Sequence, residues 1–420
     1  MQFQNTLAFA QQLDREDKLH SFRDRFHQLQ HNGKPVIYLC GNSLGLQPKN
    51  VKTAIDQELK DWAELAVEAH FKGKNPWMYY HHFLDEKAAK VVGAKPSEVV
   101  VMNNLTANLH LMMVSFYRPT KTRYKILMEV SAFPSDQYAM ESQARFHNLD
   151  PDDVIIELKP REEEFTIRTE DIIAKISEHK DDLAIVMMGG VNYYTGQAFD
   201  MQAITKAAHE AGAVAGFDLA HGAGNLLLQL HDWDVDFAVW CTYKYLNSGP
   251  GGTSGVFVNE RHGKNKELIR FAGWWGYDEK ERFKMKKGFV PMEGAAGWQL
   301  SNAQIFPMAI HKASLEIFDE AGMENLRTKS ELLTGYLEFI LKKFNDHLQI
   351  ITPRDISERG CQLSIRVNEN GKKLFDFLVE NNVLPDWREP DVMRMSPVPL
   401  YNSFEEVYRV GEILKEYFKK

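Results

Sequence analysis

The sequence has few of the features that mark secreted, membrane-bound or nucleic-acid-binding proteins. Its 420 residues include only three cysteines, Cys40, Cys241 and Cys361, which are far apart and odd in number, so we expect a reducing compartment without disulfides. The net charge of −8 gives no reason to expect nucleic acid or an anionic membrane as a partner. No apolar run reaches the roughly 18 residues of a membrane span, and the amphipathic, partly acidic start is typical of neither a secretory signal nor a transit peptide. We therefore expect a cytoplasmic protein that partners with neither nucleic acid nor membrane.

Signatures of nucleotide binding are also missing. The glycine-rich stretches do not complete G-x-G-x-x-G, and the sequence contains no G-x-x-x-x-G-K-[ST] motif. We find no internal repeat and no low-complexity segment. The composition, 44% hydrophobic and 26% charged, is that of an ordinary globular protein, and the chain is too long for one compact core.

What the sequence does have is a regular alternation of short apolar strands and helical segments. Seven candidate strands are Val99–Met102, Tyr124–Glu129, Val154–Leu158, Leu183–Met188, Ala213–Asp218, Phe237–Cys241 and Gly255–Val258. Several are apolar on both faces, which is typical of central strands covered by helices on each side. The alternation predicts an α/β fold with a mostly parallel seven-stranded sheet and right-handed crossovers.

Changes in pattern along the chain predict three parts. Residues 1–60 look mostly helical, interrupted by a short strand at Val36–Cys40, and are expected to pack with a small domain. Residues 61–306 carry the sheet of a large domain. Residues 307–420 begin with a long helical stretch and end in an amphipathic helix, which predicts a smaller C-terminal α+β domain.

The most informative segment, Gly216–Gly252, places an acid and an amine after neighbouring strands. Asp218 ends one strand, and Lys244 follows the next within the otherwise uncharged WCTYKYL. An amine there would be partly withdrawn from water, which favours its neutral, nucleophilic form. Pyridoxal phosphate (PLP) needs such a pair, an amine that binds its aldehyde and an acid that pairs with its pyridinium nitrogen. Taken singly, a surface lysine and a helix-capping aspartate are the plainer interpretations.

Seven further residues follow neighbouring strands at the same predicted edge: Leu105, Thr106, Phe133, Ser135, Asp136, His221 and Tyr243. In parallel sheets, ligands bind beyond the carboxyl ends of the strands. The first two residues begin a predicted helix, whose free N–H groups and threonine hydroxyl suit a phosphate. The joint placement of a phosphate cradle, an aromatic ring, an acid and an amine favours a PLP site.

One motif suggests a different chemistry at the start of the chain. GNSLG, residues 41–45, matches the G-x-S-x-G nucleophile elbow of serine hydrolases and follows a predicted strand. However, the elbow serine normally opens directly into a helix, and here Pro48 stands before the next helical run. An active Ser43 is therefore disfavoured.

A second motif, HHFLDE at residues 81–86, contains two histidines and two acids. Such a set could ligate a metal. Pairing of His81 with Asp85 and of His82 with Glu86 along a helix face is the commoner arrangement, so no metal is expected.

Longer motifs give the sequence a resemblance to a known family. FDLAHGAGN, AFPSDQYA, GWWG, RFKM and SPVPLYNSFEEVY together resemble kynureninase, a PLP enzyme with the aspartate-aminotransferase-like fold (PLP fold type I), over about residues 35 to 415. The resemblance implies PLP as cofactor, a homodimer with a shared active site, and an amino acid substrate. It further implies hydrolysis of L-kynurenine or 3-hydroxykynurenine to anthranilate or 3-hydroxyanthranilate and L-alanine, in tryptophan catabolism or NAD biosynthesis.

The resemblance also implies roles for individual residues. Lys244 would bind the cofactor covalently, Asp218 would pair with its ring nitrogen, and Tyr243 would be the candidate acid–base group. Further cofactor contacts would be Leu105, Thr106, Phe133, Ser135, Asp136, His221, Trp274 and Asn302. The family supplies the positions of Trp274 and Asn302 from the neighbouring subunit.

Three more residues are implied on the substrate side. Arg394 would bind the α-carboxylate, because a planar guanidinium holds a carboxylate with two hydrogen bonds. Ser43 and His70 would lie near the aromatic amine of the substrate. One departure is Gly189, where some relatives carry a serine.

Three other functions are compatible with parts of the sequence. A cysteine desulfurase would need an accessible cysteine, which Cys241 and Cys361 fit poorly because both lie in apolar strands. A serine hydrolase would use Ser43. A non-catalytic relative would bind PLP at Lys244 without turning over substrate.

Overall fold

A seven-stranded sheet forms the centre of the protein, whose computed structural model describes residues 2–419. In chain order its strands are β1 (Val99–Met102), β2 (Lys125–Glu129), β3 (Ile155–Leu158), β4 (Leu183–Gly189), β5 (Val214–Asp218), β6 (Phe237–Trp240) and β7 (Ser254–Val258). The spatial order is β1-β7-β6-β5-β4-β2-β3. Only β7 runs antiparallel to its neighbours, β1 and β6, so the predicted mostly parallel sheet is confirmed.

Both faces of this sheet are covered, which explains why its strands are apolar throughout. In β1 every residue is buried, and alternate residues enter two different cores. Val99 and Val101 belong to one core, whereas Val100 and Met102 belong to the other.

Residues 2–419 contain fourteen α-helices, which pack on the large sheet or lie in the rest of the fold. They are α1 (Leu7–Glu16), α2 (Val51–Leu65), α3 (Ala69–Lys72), α4 (His82–Val92), α5 (Leu105–Phe116), α6 (Pro134–Phe146), α7 (Pro151–Val154), α8 (Thr169–Glu178), α9 (Met201–Glu210), α10 (Glu260–Gly263), α11 (Ile305–Ala321), α12 (Met323–Leu341), α13 (Gly371–Glu380) and α14 (Phe404–Phe418). Local chemistry sets several ends. The Asp200 side chain caps α9, Ser403 and Glu406 form a capping box at α14, and Gly322 with φ of +75° separates α11 from α12.

A second, smaller sheet lies in the C-terminal part of the chain. Its strands are β8 (Leu348–Ile350), β9 (Leu363–Val367), β10 (Asp386–Arg388) and β11 (Val392–Met395), in the antiparallel order β8-β9-β11-β10. Its core includes Ala10 and Leu13 of α1, together with residues of α12 and α14. The strand Ile37–Tyr38 pairs in parallel with Val383–Leu384.

The packing bears on the predicted domain limits without fixing them. Helix α11 packs against α2 and α4 and contributes to the core of the large sheet, whereas α12 contributes mainly to the core of the small sheet. The division at residues 60 and 306 stays a prediction.

The remaining regular segments are short. Gln30–His31 pairs with Lys34–Pro35, and 3₁₀ turns occur at His20–Arg25, Ala66–Glu68, Trp77–Tyr79, Pro96–Glu98, Arg282–Lys284, Ala295–Trp298, Lys342–Phe344 and Ile356–Glu358. Among residues 2–419, none of the helices has both the length and the apolar character needed to cross a bilayer.

Candidate active site

A pocket of about 540 Å³ lies at the carboxyl edge of the large sheet. Residues that end or follow β1, β2, β4, β5 and β6 line it: Leu105, Thr106, Glu129, Phe133, Ser135, Asp136, Gly189, Val191, Tyr193, Asp218, Ala220, His221, Tyr243 and Lys244. Strands β2, β4, β5 and β6 are parallel. Strand β1 has the same direction, because β7 lies between β1 and β6 and is antiparallel to both, so the carboxyl ends of all five strands lie at one edge. The predicted acid, amine, aromatic ring and hydroxyl groups therefore come together in one pocket.

The amine of the pocket is Lys244, which is half-buried and contacts His221. The distance from Lys244 Nζ to His221 Nε2 is 3.1 Å. His221 is buried, and burial, with the positive charge of Lys244, holds its pKa well below the usual range. The imidazole is therefore neutral and can share a hydrogen bond with the amine.

The backbone of Lys244 is held by the GNSLG turn. The Gly45 N–H donates a hydrogen bond of 2.8 Å to the Tyr243 carbonyl oxygen. A Cβ atom added to Gly45 would lie 2.3 Å from the Lys244 carbonyl oxygen, so only glycine fits this approach. Residues 41–45 thus contact the backbone of Lys244 and fix its position.

Three carboxyl groups are buried in the same pocket: Asp218, Asp136 and Glu129. Each is less than a tenth exposed. Asp218 accepts a hydrogen bond of 2.6 Å from the Ala220 N–H and is hydrogen-bonded to Asp136. Burial raises the pKa of both aspartates, and the charge of Asp218 together with this hydrogen bond raises that of Asp136 further. Asp136 therefore carries the proton and donates it towards an ionised Asp218.

Glu129 completes this group from the end of β2. Both of its carboxylate oxygens lie 3.2 Å from the Gly189 N–H. Burial, and then the charge of Asp218, raises its pKa to about 7.

Two helix N-termini meet at another wall of the pocket. Helix α5 begins at Leu105 and α6 at Pro134, and neither first turn is capped by a side chain. Between them, Thr106 Oγ1 and Ser135 Oγ lie 2.7 Å apart. Free N–H groups with two hydroxyls form a site suited to a phosphate.

An aromatic ring and a buried arginine border the rest of the pocket. Phe133 is 46% exposed, and its ring centroid lies 5.7 Å from Lys244 Nζ and 5.3 Å from the ring of Tyr193. Arg394, in β11 of the small sheet, is fully buried and donates a hydrogen bond of 2.7 Å to the Tyr193 carbonyl oxygen. It also bonds to the Asp386 carboxylate, while its Nε has no partner among the described residues. Arg394 thus lies behind Tyr193, next to the pocket.

Besides Arg394, four other residues predicted for the site lie outside the pocket lining of this single chain. Ser43 is exposed, and its N–H donates a hydrogen bond to the Cys40 carbonyl oxygen within a turn. The ring of His70 contacts the ring of Trp77, with 5.3 Å between the ring centroids. Trp274 and Asn302 are exposed on the surface. Their assignment to the site stays a prediction.

Several residues of the pocket were not predicted from the sequence, and Glu129 is the one carboxylic acid among them. The predicted strand ended at this residue, in the same position that Asp218 occupies in its own strand. An acid at the end of an apolar central strand was the signal. Val191, Tyr193 and Ala220 gave no comparable signal.

The histidine pairs predicted for residues 81–86 are wrong. Helix α4 begins at His82, so His81 turns into the interior and does not pair with Asp85. Instead His82 contacts Asp85, with Nδ1 2.9 Å from Oδ2, and Glu86 pairs with Lys90.

Pyridoxal phosphate fits the groups that the pocket presents. The amine of Lys244 suits its aldehyde, the ionised Asp218 its protonated ring nitrogen, Phe133 its ring, and the hydroxyls at the two helix starts its phosphate. In the buried pair of Asp136 and Asp218, the Asp136 Oδ1 atom has no hydrogen-bond partner among the described residues. These donors match the cofactor group by group.

Solved structures share the fold. A mutant of C-DES with glycine covalently linked to its PLP cofactor matches with a TM-score of 0.75 at 14% identity, covering 90% of this chain and 96% of that one. A cysteine desulfurase of Escherichia coli, CsdA, matches with a TM-score of 0.77 at 17% identity, covering 96% of this chain and 98% of that one. An apo cysteine desulfurase of Thermococcus onnurineus matches with a TM-score of 0.74 at 18% identity, covering 91% and 95%. At these identities the likeness concerns the fold, and it confirms the predicted PLP fold type I.

Sequence comparisons identify the family. Residues 326–414 match the kynureninase C-terminal domain. A kynureninase of Flavobacterium psychrophilum is 56% identical over 99% of both chains, and one of Myxococcus xanthus is 57% identical over 98% of this chain and 97% of its own. A kynureninase of the animal Nematostella vectensis is 48% identical over 98% and 94%. Similarity of this extent, together with the pocket at the sheet edge, places the chain in the kynureninase family.

Proposed function

We propose that this protein hydrolyses the Cβ–Cγ bond of L-kynurenine, of 3-hydroxykynurenine or of both, with PLP as cofactor. The products are anthranilate or 3-hydroxyanthranilate and L-alanine. The observation that carries the proposal is the convergence of Lys244, His221 and Asp218 in one pocket of a chain that is 56% identical over its length to a kynureninase. A cytoplasmic location and a part in tryptophan catabolism or NAD biosynthesis belong to the same proposal.

The pocket residues divide the task of holding the cofactor. Lys244 would hold the aldehyde, Asp218 would pair with the ring nitrogen and Phe133 would cover the ring. The phosphate would be held by Leu105, Thr106, Ser135 and Tyr243. When bound, PLP supplies an electron-accepting ring that stabilises negative charge on the substrate carbon atoms next to it.

The chain itself supplies the proton transfers. Once released from the aldehyde, the free Lys244 amine would take the α-proton of the substrate and become an ammonium group. The neutral His221 imidazole, whose Nε2 lies 3.1 Å away, would accept a hydrogen bond from it. Asp136 stays protonated and donates a hydrogen bond to Asp218. This hydrogen bond stabilises the negative charge of the Asp218 carboxylate. Burial raises the pKa of Tyr243, so its hydroxyl stays protonated and serves as a proton donor.

Residues from the small domain and from a second subunit complete the substrate site. Arg394 binds the α-carboxylate through its guanidinium, whose Nε has no hydrogen-bond partner among residues 2–419. Ser43 and His70 lie towards the aromatic amine. Trp274, which is 39% exposed, and Asn302 reach the pocket of the other subunit, so the active assembly is a homodimer.

Turnover tests the proposal directly. Purified protein is incubated with L-kynurenine and, separately, with 3-hydroxykynurenine, and fluorescent anthranilate products are followed. Borohydride reduction and peptide mapping should place the cofactor on Lys244. The substitution Lys244→Ala should abolish both the turnover and the labelling at this position. Lys264→Ala is the matched control, because Lys264 is exposed and pairs with Glu260. Absence of turnover on both substrates would refute the activity.

The alternatives find less support in the same pocket. A cysteine desulfurase needs a reactive thiol, but Cys361 is buried, and burial raises its pKa to about 12. A serine hydrolase would show labelling of Ser43 by a fluorophosphonate and no bound cofactor. A non-catalytic PLP-binding protein would carry the label on Lys244 and release no product.

A further inference from the structure

A second cluster of ligating side chains lies at the start of helix α4, and it is formed by His81, His82 and Glu279. The potential ligand atoms of all three lie within 4.8 Å of one another. His82 Nε2 is 3.2 Å from Glu279 Oε1, and His81 Nε2 is 3.7 Å from the same oxygen. None of the three residues lines the pocket at the sheet edge.

These separations are close to those of ligands around one metal ion. Zinc binds imidazole nitrogen at about 2.0–2.1 Å and carboxylate oxygen at about 2.0–2.2 Å, so neighbouring ligand atoms of a tetrahedral site lie about 3.3 Å apart. The two measured distances lie on either side of that value. Small side-chain rotations would therefore let the three groups bind one ion.

His81 is the observation that points to a ligand. Its side chain is 0% exposed, and neither ring nitrogen has a hydrogen-bond partner among the described residues. Burial, and then the charges of His82 and Arg282, lowers its pKa to about 3, so the ring is neutral. A neutral imidazole with two orphaned nitrogens is costly to bury, and a metal ion would give one of them a partner.

His82 has the second contact that metal-binding histidines usually show. Its Nδ1 lies 2.9 Å from the Asp85 carboxylate, which leaves Nε2 directed towards Glu279. A carboxylate on the far nitrogen fixes the ring and strengthens it as a ligand.

The negative charges near the cluster match the charge of a divalent cation. Glu279 and Asp85 contribute two negative charges. The nearby Arg282 opposes a cation, but its guanidinium is turned to the Trp275 carbonyl oxygen at 2.6 Å and to the Tyr277 carbonyl oxygen at 3.1 Å. In their deprotonated forms, two imidazoles and one carboxylate make a ligand set that suits zinc and chemically similar ions.

We propose that His81, His82 and Glu279 bind one divalent transition-metal ion of the zinc type, with Asp85 orienting His82 and with water in the fourth position. The ion joins α4 to the segment around residue 279, which lies a few residues beyond Trp274. Binding here is independent of the cofactor pocket.

Metal content tests the proposal without reference to turnover. The holoenzyme is treated with a chelator, dialysed, and titrated with Zn²⁺ alone, and bound zinc is counted by elemental analysis and native mass spectrometry. Titration with Co²⁺ reports the geometry, because tetrahedral cobalt absorbs in the visible. We expect one ion per chain, and at least a tenfold loss of affinity in His82→Gln and in Glu279→Gln.

The variants and control keep the test decisive. His82 and Glu279 are partly exposed, so their replacement should leave the fold intact, as circular dichroism will verify. His179→Gln is the control, because His179 contacts Asp182 at 3.1 Å and belongs to no three-ligand cluster among the described residues. If no zinc is retained, or if both His82→Gln and Glu279→Gln bind zinc as the unchanged protein does, His82 is only an ion-pair partner of Asp85 and Glu279, and the proposal is overturned.

Discussion

Replacement of Glu129 by glutamine should stabilise the protein in a way that depends on pH. Glu129 is 4% exposed, and its pKa of about 7 is well above the ordinary 4.5. The folded protein therefore holds this proton more tightly than the unfolded chain does, and its stability falls as the pH rises from about 4.5 to about 7. Since one pKa unit corresponds to about 1.4 kcal/mol, the ionised carboxylate lowers the free energy of unfolding by about 3 kcal/mol above pH 7.

Glutamine has the same shape and one carbonyl oxygen that can still accept from the Gly189 N–H, but it carries no charge. We expect Glu129→Gln to match the unchanged protein near pH 5 and to exceed its free energy of unfolding by about 2–3 kcal/mol near pH 8. Urea unfolding across this pH range measures the difference. Glu157→Gln is the control, because Glu157 lies exposed in the neighbouring strand β3. A difference that does not change with pH, or a glutamine variant that is less stable at pH 8, would refute the assignment of a buried, high-pKa carboxyl group.

Three further predictions concern the pocket. Gly45→Ala should lower kcat roughly 10²-fold by displacing the Lys244 backbone, with the cofactor still attached; unchanged kinetics would contradict the close approach. Asp218→Asn should lower kcat by roughly 10²–10³-fold, whereas Asp136→Asn, which can still donate a hydrogen bond, should lose less than about tenfold; equal losses in steady-state assays would disprove the placement of the proton. Tyr243→Phe should lower kcat by about 10²-fold without changing the cofactor absorbance, and full turnover would exclude this hydroxyl as the acid–base group.

The large sheet could be predicted because its strands are buried on both faces. Tyr124–Glu129 was expected and Lys125–Glu129 is observed, and the other six strands agree as closely. Continuous apolar runs, separated by helical periodicity, leave little freedom in where a central strand begins. The rule that ligands bind at carboxyl ends then placed Asp218 and Lys244 at one edge.

Contacts between distant parts of the chain could not be predicted in the same way. The antiparallel direction of β7 follows from the connection between Trp240 and Ser254, which contains no helix that could return the chain to the other end of the sheet. The pairing of Ile37–Tyr38 with Val383–Leu384 depends on tertiary packing, because neither two-residue strand has a pattern of its own. The neutral state of His81 depends likewise on burial that no local pattern encodes.

The paired strand Ile37–Tyr38 gives the protein a mechanical linkage. From this strand the chain runs through Leu39, whose N–H donates to the Leu384 carbonyl, directly into the turn whose Gly45 N–H holds the Tyr243 carbonyl. Arg394 lies in the same small sheet region, two residues before Ser396, which bridges to Cys40. The small sheet and the peptide of Lys244 are therefore connected through the short segment of residues 37–45, so a displacement of one would be transmitted to the other.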